Sequence, residues 1–232
     1  MIRASRHGLR PPRTRAPRQA RSEATYRRLL DAAELLLTEE SFDQVTVAEI
    51  AARAGVTIGA FYARFADKDA LLESLEERVT EAVLAVVARA TDPVRWEGAT
   101  VGEALHRYFV ELVEVYLRTR GAGRALVLQA HTDPALRRRL RRLNTEGPPK
   151  VIELLERQGA IGHPTPGLGR EVAFLAVRST LREIILFGEA WPGATPLSTD
   201  ALADELTRLV LSYLGIDGSA RLRLDARSSR RR

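Results

Sequence analysis

Between Thr46 and Lys68 the sequence T-V-A-E-I-A-A-R-A-G-V-T-I-G-A-F-Y-A-R-F-A-D-K sets out groups suited to holding a polyanion. Thr46 and Thr57 each stand where a helix can begin, and a helix N-terminus offers free N–H groups and the positive end of its dipole to a phosphate. Lys68 falls in the first turn of the next helix and can reach a phosphate as a point charge. Contacts of this kind fix register but read no sequence. Reading needs side chains at base edges, and Thr57, Ile58, Ala60 and Arg64 are placed for that. Arg can pair with guanine O6 and N7, whereas Ile and Ala can only pack against thymine methyls. Gly59 has no side chain, so its backbone can come close to a nucleic acid. Phe61 and Phe65 read as core.

Two short helices must position these groups. Thr46 followed by Glu49 is a capping box. It opens a helix expected over residues 47–54, with Val47, Ile50, Ala51 and Ala54 on one apolar face. Gly55 ends it, Val56 plugs the turn, and Thr57 caps a second helix running to about Phe65. Two short helices around a glycine turn make a helix-turn-helix, whose second helix enters the major groove.

The surrounding pattern is more specific. Residues 22–72 resemble the DNA-binding domain of TetR/AcrR-type transcriptional regulators. The resemblance rests on Ala32, Ala33, Leu36, Phe42, Thr46, Ile50, Ala51, Ala54, Gly55, Val56, Gly59, Phe61, Tyr62, Phe65, Lys68, Leu71 and Leu72. It implies that Tyr62 faces DNA and contacts phosphate. Two positions depart from the pattern: Ser41 stands where glycine is usual, and Arg64 where histidine is common.

Charge is unevenly spread. The chain carries +6 overall, yet residues 1–21 hold seven Arg and no acid, and residues 221–232 hold six Arg and one Asp, leaving residues 22–220 at −6. A DNA-binding role must therefore draw on locally placed cations. The N-terminal Arg run reads equally as an unordered tail or as a minor-groove arm; the C-terminal run reads as a solvated tail. There is no cysteine, which excludes disulfides and Cys-ligated zinc and fits a reducing cytoplasm. No G-x-S-x-G, P-loop or G-x-G-x-x-G occurs, and His7, His106, His131 and His163 lack metal-ligand spacing. An enzyme, a metal site, a cofactor and a membrane span are not expected.

The rest of the chain reads as helix, so the expected fold class is all-α. Asp67 can cap a helix stopping near Thr91-Asp92-Pro93. Residues 101–120 follow, broken by Gly121 and Gly123, then a short helix over 124–131. Asp133-Pro134 starts another, and Pro148-Pro149 starts a separate segment over 150–158. Arg137, Arg138, Arg139, Arg141 and Arg142 give one face a basic character that reads as solvated. Helices over 169–188 and 200–214 close the body, the last ending in a Schellman turn at Gly215 and Ile216. The expected divisions are a disordered arm 1–21, a DNA-binding domain 22–72, a helical body 73–216 and a disordered basic tail 217–232.

For the body, the resemblance implies a pocket for a small, largely apolar effector, with Phe109, Tyr116, Gln129, Phe174, Arg178 and Trp191 as candidate contacts. Arg178 and Arg182, four apart, can meet a ligand carboxylate or pair with Glu171 or Glu183. The resemblance also implies a homodimer joined through 169–188 and 200–214 as a four-helix bundle, a palindromic operator, and repression relieved by the effector. The alternatives are a DNA-binding regulator without an effector and a membrane-surface scaffold using the Arg runs.

Overall fold

The computed structural model describes residues 18–156, 161–188 and 198–222. Helices α1 (Arg18–Glu39), α2 (Val47–Arg53) and α3 (Ile58–Tyr62) form a head, and α4 (Lys68–Ala90) runs from it into a body. The body continues through a 3-10 turn (Pro93–Trp96), α5 (Val101–Arg118), α6 (Arg120–Gln129), α7 (Pro134–Glu156), α8 (Pro166–Phe187) and α9 (Thr199–Leu214). The fold is all-α, and the one bridge between described residues, Thr100 to Arg221, lies outside any strand.

Two apolar clusters hold it together. The head cluster joins Leu29, Leu37, Ile50, Phe61 and Leu71, and it takes in Ala122, Leu126 and Leu136 from α6 and α7. The body cluster joins Val86 and Val87 of α4 to Phe109, Val113, Leu181, Val210 and Leu214. Helix α4 thus supplies both cores, Leu75 to one and Val86 to the other. The expected boundary after residue 72 is not a seam, because the head's apolar stripe continues past it onto the body.

Several expected features change. Helix α1 begins at Arg18, inside the stretch 1–21 expected to be a disordered arm. Gly121 and Gly123 do not break the chain but lie inside α6. A Cβ on Gly121 would stand 2.4 Å from the Glu34 carbonyl oxygen and 2.8 Å from the Thr38 nitrogen, so Gly121 is there to let α6 lie directly on α1. Helix α7 runs through Pro148 and Pro149 without a stop. Proline costs a helix one hydrogen bond and a clash, but Leu136 at one end and Val151 and Leu155 at the other are buried in the two cores, which keeps the halves in line. Residues 217–222 are ordered: the Val101 N–H donates to the Ala220 carbonyl, Gly102 to Gly218 and Leu222 to Ala99, each at 2.9 Å. This strap covers free N–H groups at the start of α5. The Arg-rich runs 1–17 and 223–232 lie outside the described residues, as does Trp191. The Schellman turn forms as expected, with Gly215 at φ 64° and the Ile216 N–H donating to Leu211 at 2.9 Å.

Candidate nucleic-acid interface and body cavity

The helix-turn-helix is fixed by its caps. The Thr46 hydroxyl accepts from the Glu49 N–H at 3.2 Å, and the Glu49 carboxylate accepts from the Thr46 N–H at 2.8 Å and from its hydroxyl at 2.7 Å. These bonds hold the Glu49 carboxyl below its usual range. They also occupy the Thr46 hydroxyl, so a phosphate at this helix start would meet the backbone N–H groups that follow. Gly55 takes φ 64° in the turn, which glycine does at little cost. Thr57 accepts from the Ala60 N–H at 3.1 Å and starts α3, which is five residues long and shorter than expected.

On α3, Phe61 is fully buried while Ile58 and Tyr62 are about half exposed, at 48% and 56%. Thr57 and Gly59 are exposed beside them, and Ala60 is half-buried. Exposed apolar and aromatic groups over a buried phenylalanine are what a short reading helix would present to a groove.

The two cations expected to touch DNA are otherwise engaged. The Lys68 ammonium donates to the carbonyls of Phe42 at 2.6 Å, Val45 at 3.0 Å and Asp43 at 3.4 Å, and stands 4.6 Å from the centre of the Phe42 ring. An ammonium has three N–H donors, and all three are directed at the loop between α1 and α2. The Arg64 guanidinium donates to the Ala60 carbonyl at 2.8 Å and to the Ser22 carbonyl at 3.2 Å. In this arrangement both clamp the reader onto its neighbours. Ser41 likewise closes the turn without glycine: its hydroxyl donates to the Gln44 side-chain oxygen at 2.8 Å, and no residue other than glycine takes a positive φ among the described residues.

In the body, a cavity of about 260 Å³ lies between α4, α5, α6 and α8. Of the expected contacts, Tyr116, Phe174 and Arg178 line it. Phe109 does not; it is fully buried in the core, its ring 5.1 Å from that of Tyr108. Gln129 does not either, because its amide donates to Asp43 at 3.1 Å across the junction with the head. Arg182, considered with Arg178 as a partner for a ligand carboxylate, lines the cavity as well. Tyr108 and Leu112 also line it and were not among the expected contacts; their i, i+4 spacing on α5, in phase with Tyr116, is the signal that could have found them. Burial raises the pKa of the Tyr116 phenol, with Arg178 pulling the other way, so it is a neutral O–H donor at ordinary pH.

Helix α6 joins the two regions. Its Gly123, Leu126 and Val127, with Thr119 just ahead of it, line the cavity, while Gly121 lies on the backbone of α1. Arg124 of the same helix donates to the Glu40 carbonyl at 2.8 Å. Beside this seam, Arg78 meets Asp31 at 2.6 Å and Glu34 at 3.7 Å. The basic face of α7 is partly spent in the same region, with Arg139 on the buried Glu76 at 2.7 Å. Among the described residues no cluster of His, Cys, Asp and Glu could hold a metal ion, and no helix is long and apolar enough to cross a membrane.

Residues 29–75 match the family of bacterial regulatory proteins, tetR family. The A-factor receptor protein of Streptomyces griseus is 35% identical over 66 residues, covering 28% of this chain and 24% of that protein. The match therefore spans about a quarter of the length of that relative. Among solved structures, a bacterial regulatory protein in the tetR family from Rhodococcus is 21% identical with a TM-score of 0.65, over 83% of this chain and 98% of that one. The TetR family transcriptional regulator PfmR from Thermus thermophilus is 20% identical with a TM-score of 0.62, over 80% and 97%. The family and these neighbours are transcriptional regulators, not enzymes. With a capped helix-turn-helix at its N-terminal end that matches the tetR family over residues 29–75, and an all-helical body behind it, the chain has the fold of these TetR-family regulators.

Proposed function

We propose that this protein is a homodimeric cytoplasmic repressor, released from a palindromic operator by a small effector bound in the body cavity. The observation that carries the reading is that α4 and α6 each serve both regions, lining the cavity and contributing to the head's apolar core. A ligand that fits the cavity in only one setting of these helices biases the setting of the head, and it works only through that difference in affinity. Thr57, Ile58, Gly59 and Tyr62 would meet the groove. Thr46 would offer its helix start to a phosphate, Ala60 would flank the bases, and Arg64 and Lys68 would hold the reader in place.

A second copy is favoured by exposed apolar groups at helical spacing, Leu168, Val172 and Leu175 on α8 and Leu209 and Tyr213 on α9. Two-fold pairing there would carry two readers to successive major grooves, roughly 34–36 Å apart. The test is an anisotropy titration with DNA from upstream of the protein's own gene, at two salt concentrations, comparing wild type with Tyr62→Ala and with Val172→Glu. Tight, salt-sensitive binding by a dimer, lost in both variants, is the expected result. Equal binding by wild type and Tyr62→Ala would remove α3 as the reader and leave the Arg runs as the source of affinity.

A further inference from the structure

The cavity has an apolar floor and a cationic mouth. Buried Val87, Leu126, Val177 and Leu181 form its deep side. At the open side stand Arg178, half-buried, and Arg182, exposed, one helical turn apart on α8. No Asp or Glu lines the cavity among the described residues. Neither Glu171 nor Glu183 pairs with these arginines, and among the described residues neither guanidinium has a carboxylate partner. The Tyr116 hydroxyl, from α5 on another wall, is likewise without a hydrogen-bond partner there. Two arginines and a tyrosine thus line a site that, among the described residues, has no carboxylate to balance their charge.

From this arrangement we infer that the cavity selects an amphipathic organic anion, its carboxylate received by Arg178 and Arg182 and its apolar part laid on the floor. The inference rests on the effector reading above and adds the sign of the charge and the residues that read it. Guanidinium groups suit carboxylates because their forked N–H donors match both oxygens. A carboxylate entering a largely apolar site needs such partners, since unpaired burial of a charge is costly. The volume sits just below the ~300–1,000 Å³ usual for ligand pockets, which favours a compact acid over a long-chain one.

The test uses the full-length protein and three probes of one chain length, decanoate, 1-decanol and decylamine, with binding followed by calorimetry below their aggregation concentrations. Wild type should prefer decanoate to decanol by about tenfold or more, as expected when a charge-assisted pair is gained, and should bind decylamine least. Arg178→Gln with Arg182→Gln should abolish the preference while leaving decanol binding within about threefold, which also shows that the variant is folded. Raised salt should narrow the wild-type preference, because Arg182 is exposed. Decanol binding as tightly as decanoate, or a preference surviving in the double variant, overturns the anion inference and leaves the cavity reading standing. Binding of none of the three overturns both.

Discussion

The reading head and two of the cavity walls begin their helices differently. Helices α2, α3 and α4 start on side-chain caps from Thr46, Thr57 and Asp67. Helices α6 and α8, which line the cavity, start with no side-chain cap hydrogen bond. A cap contributes about 1 kcal/mol and fixes where a helix begins. The head is therefore locked in shape by local bonds, while two walls of the cavity lack such a bond where they begin. A reader fixed by its caps, beside walls without them, is an arrangement in which a ligand can shift the head as a body without deforming it.

The comparison breaks most sharply at the core. Phe61→Ala removes a fully buried ring from the head and should cost about 3–5 kcal/mol, read from denaturant unfolding, with loss of DNA binding. Gly121→Ala tests the junction. Its new methyl would meet backbone on α1, which cannot rotate away as a side chain could, so a loss of about 2–4 kcal/mol is expected. Equal stability of Gly121→Ala and wild type would show that α6 slides freely on α1.

Lys68→Met sharpens the picture of the head. The thioether keeps the apolar stem but leaves the carbonyls of Phe42, Asp43 and Val45 without their shared donor, so stability should fall by about 1–3 kcal/mol. If Lys68 acts only as a clamp, the salt dependence of DNA binding should keep its slope. A slope lower by about one unit would show a phosphate contact instead. Thr57→Ala should cost about 1 kcal/mol through the lost cap, with thermal unfolding as the measure.

What was legible in the sequence follows the same division. The head could be read because its determinants lie three or four residues apart: Thr46 and Glu49, Thr57 and Ala60, Gly55 in its turn. Lys68 was harder, since its partners lie more than twenty residues away and residue type alone suggests a phosphate. In the body, glycines in sequence look like breaks, and only the nearness of α1 reveals that Gly121 is a contact. Phe109 and Tyr116 sit on one helix seven residues apart, yet one is core and the other lines the cavity, a distinction set by which neighbour each faces. The ordered strap 217–222 carries no periodic signal, because its role is to cover the N–H groups of α5.

The smallest expected effect belongs to Glu34, at the seam between the two regions. Burial pushes its carboxyl above the usual range, against the opposing pull of Arg78 and Arg118, and its Oε1 has no hydrogen-bond partner. A carboxyl with a raised folded pKa binds its proton more tightly folded than unfolded. Stability from this group is therefore present at low pH and is lost as pH rises from about 4.3, the unfolded value, through the folded one. Glu49 and Glu103, lowered by their bonds to Thr46 and Thr100, act in the opposite sense and at lower pH. Glu34→Gln should thus be slightly more stable than wild type at pH 7, with the gain shrinking towards pH 4, where Glu34 is itself neutral. Arg78 also meets Asp31 at 2.6 Å, so the change leaves it a carboxylate partner. A variant less stable at pH 7 would mean that the 3.7 Å contact with Arg78 outweighs the burial of the carboxylate, making the seam an ion-pair lock rather than a strained one.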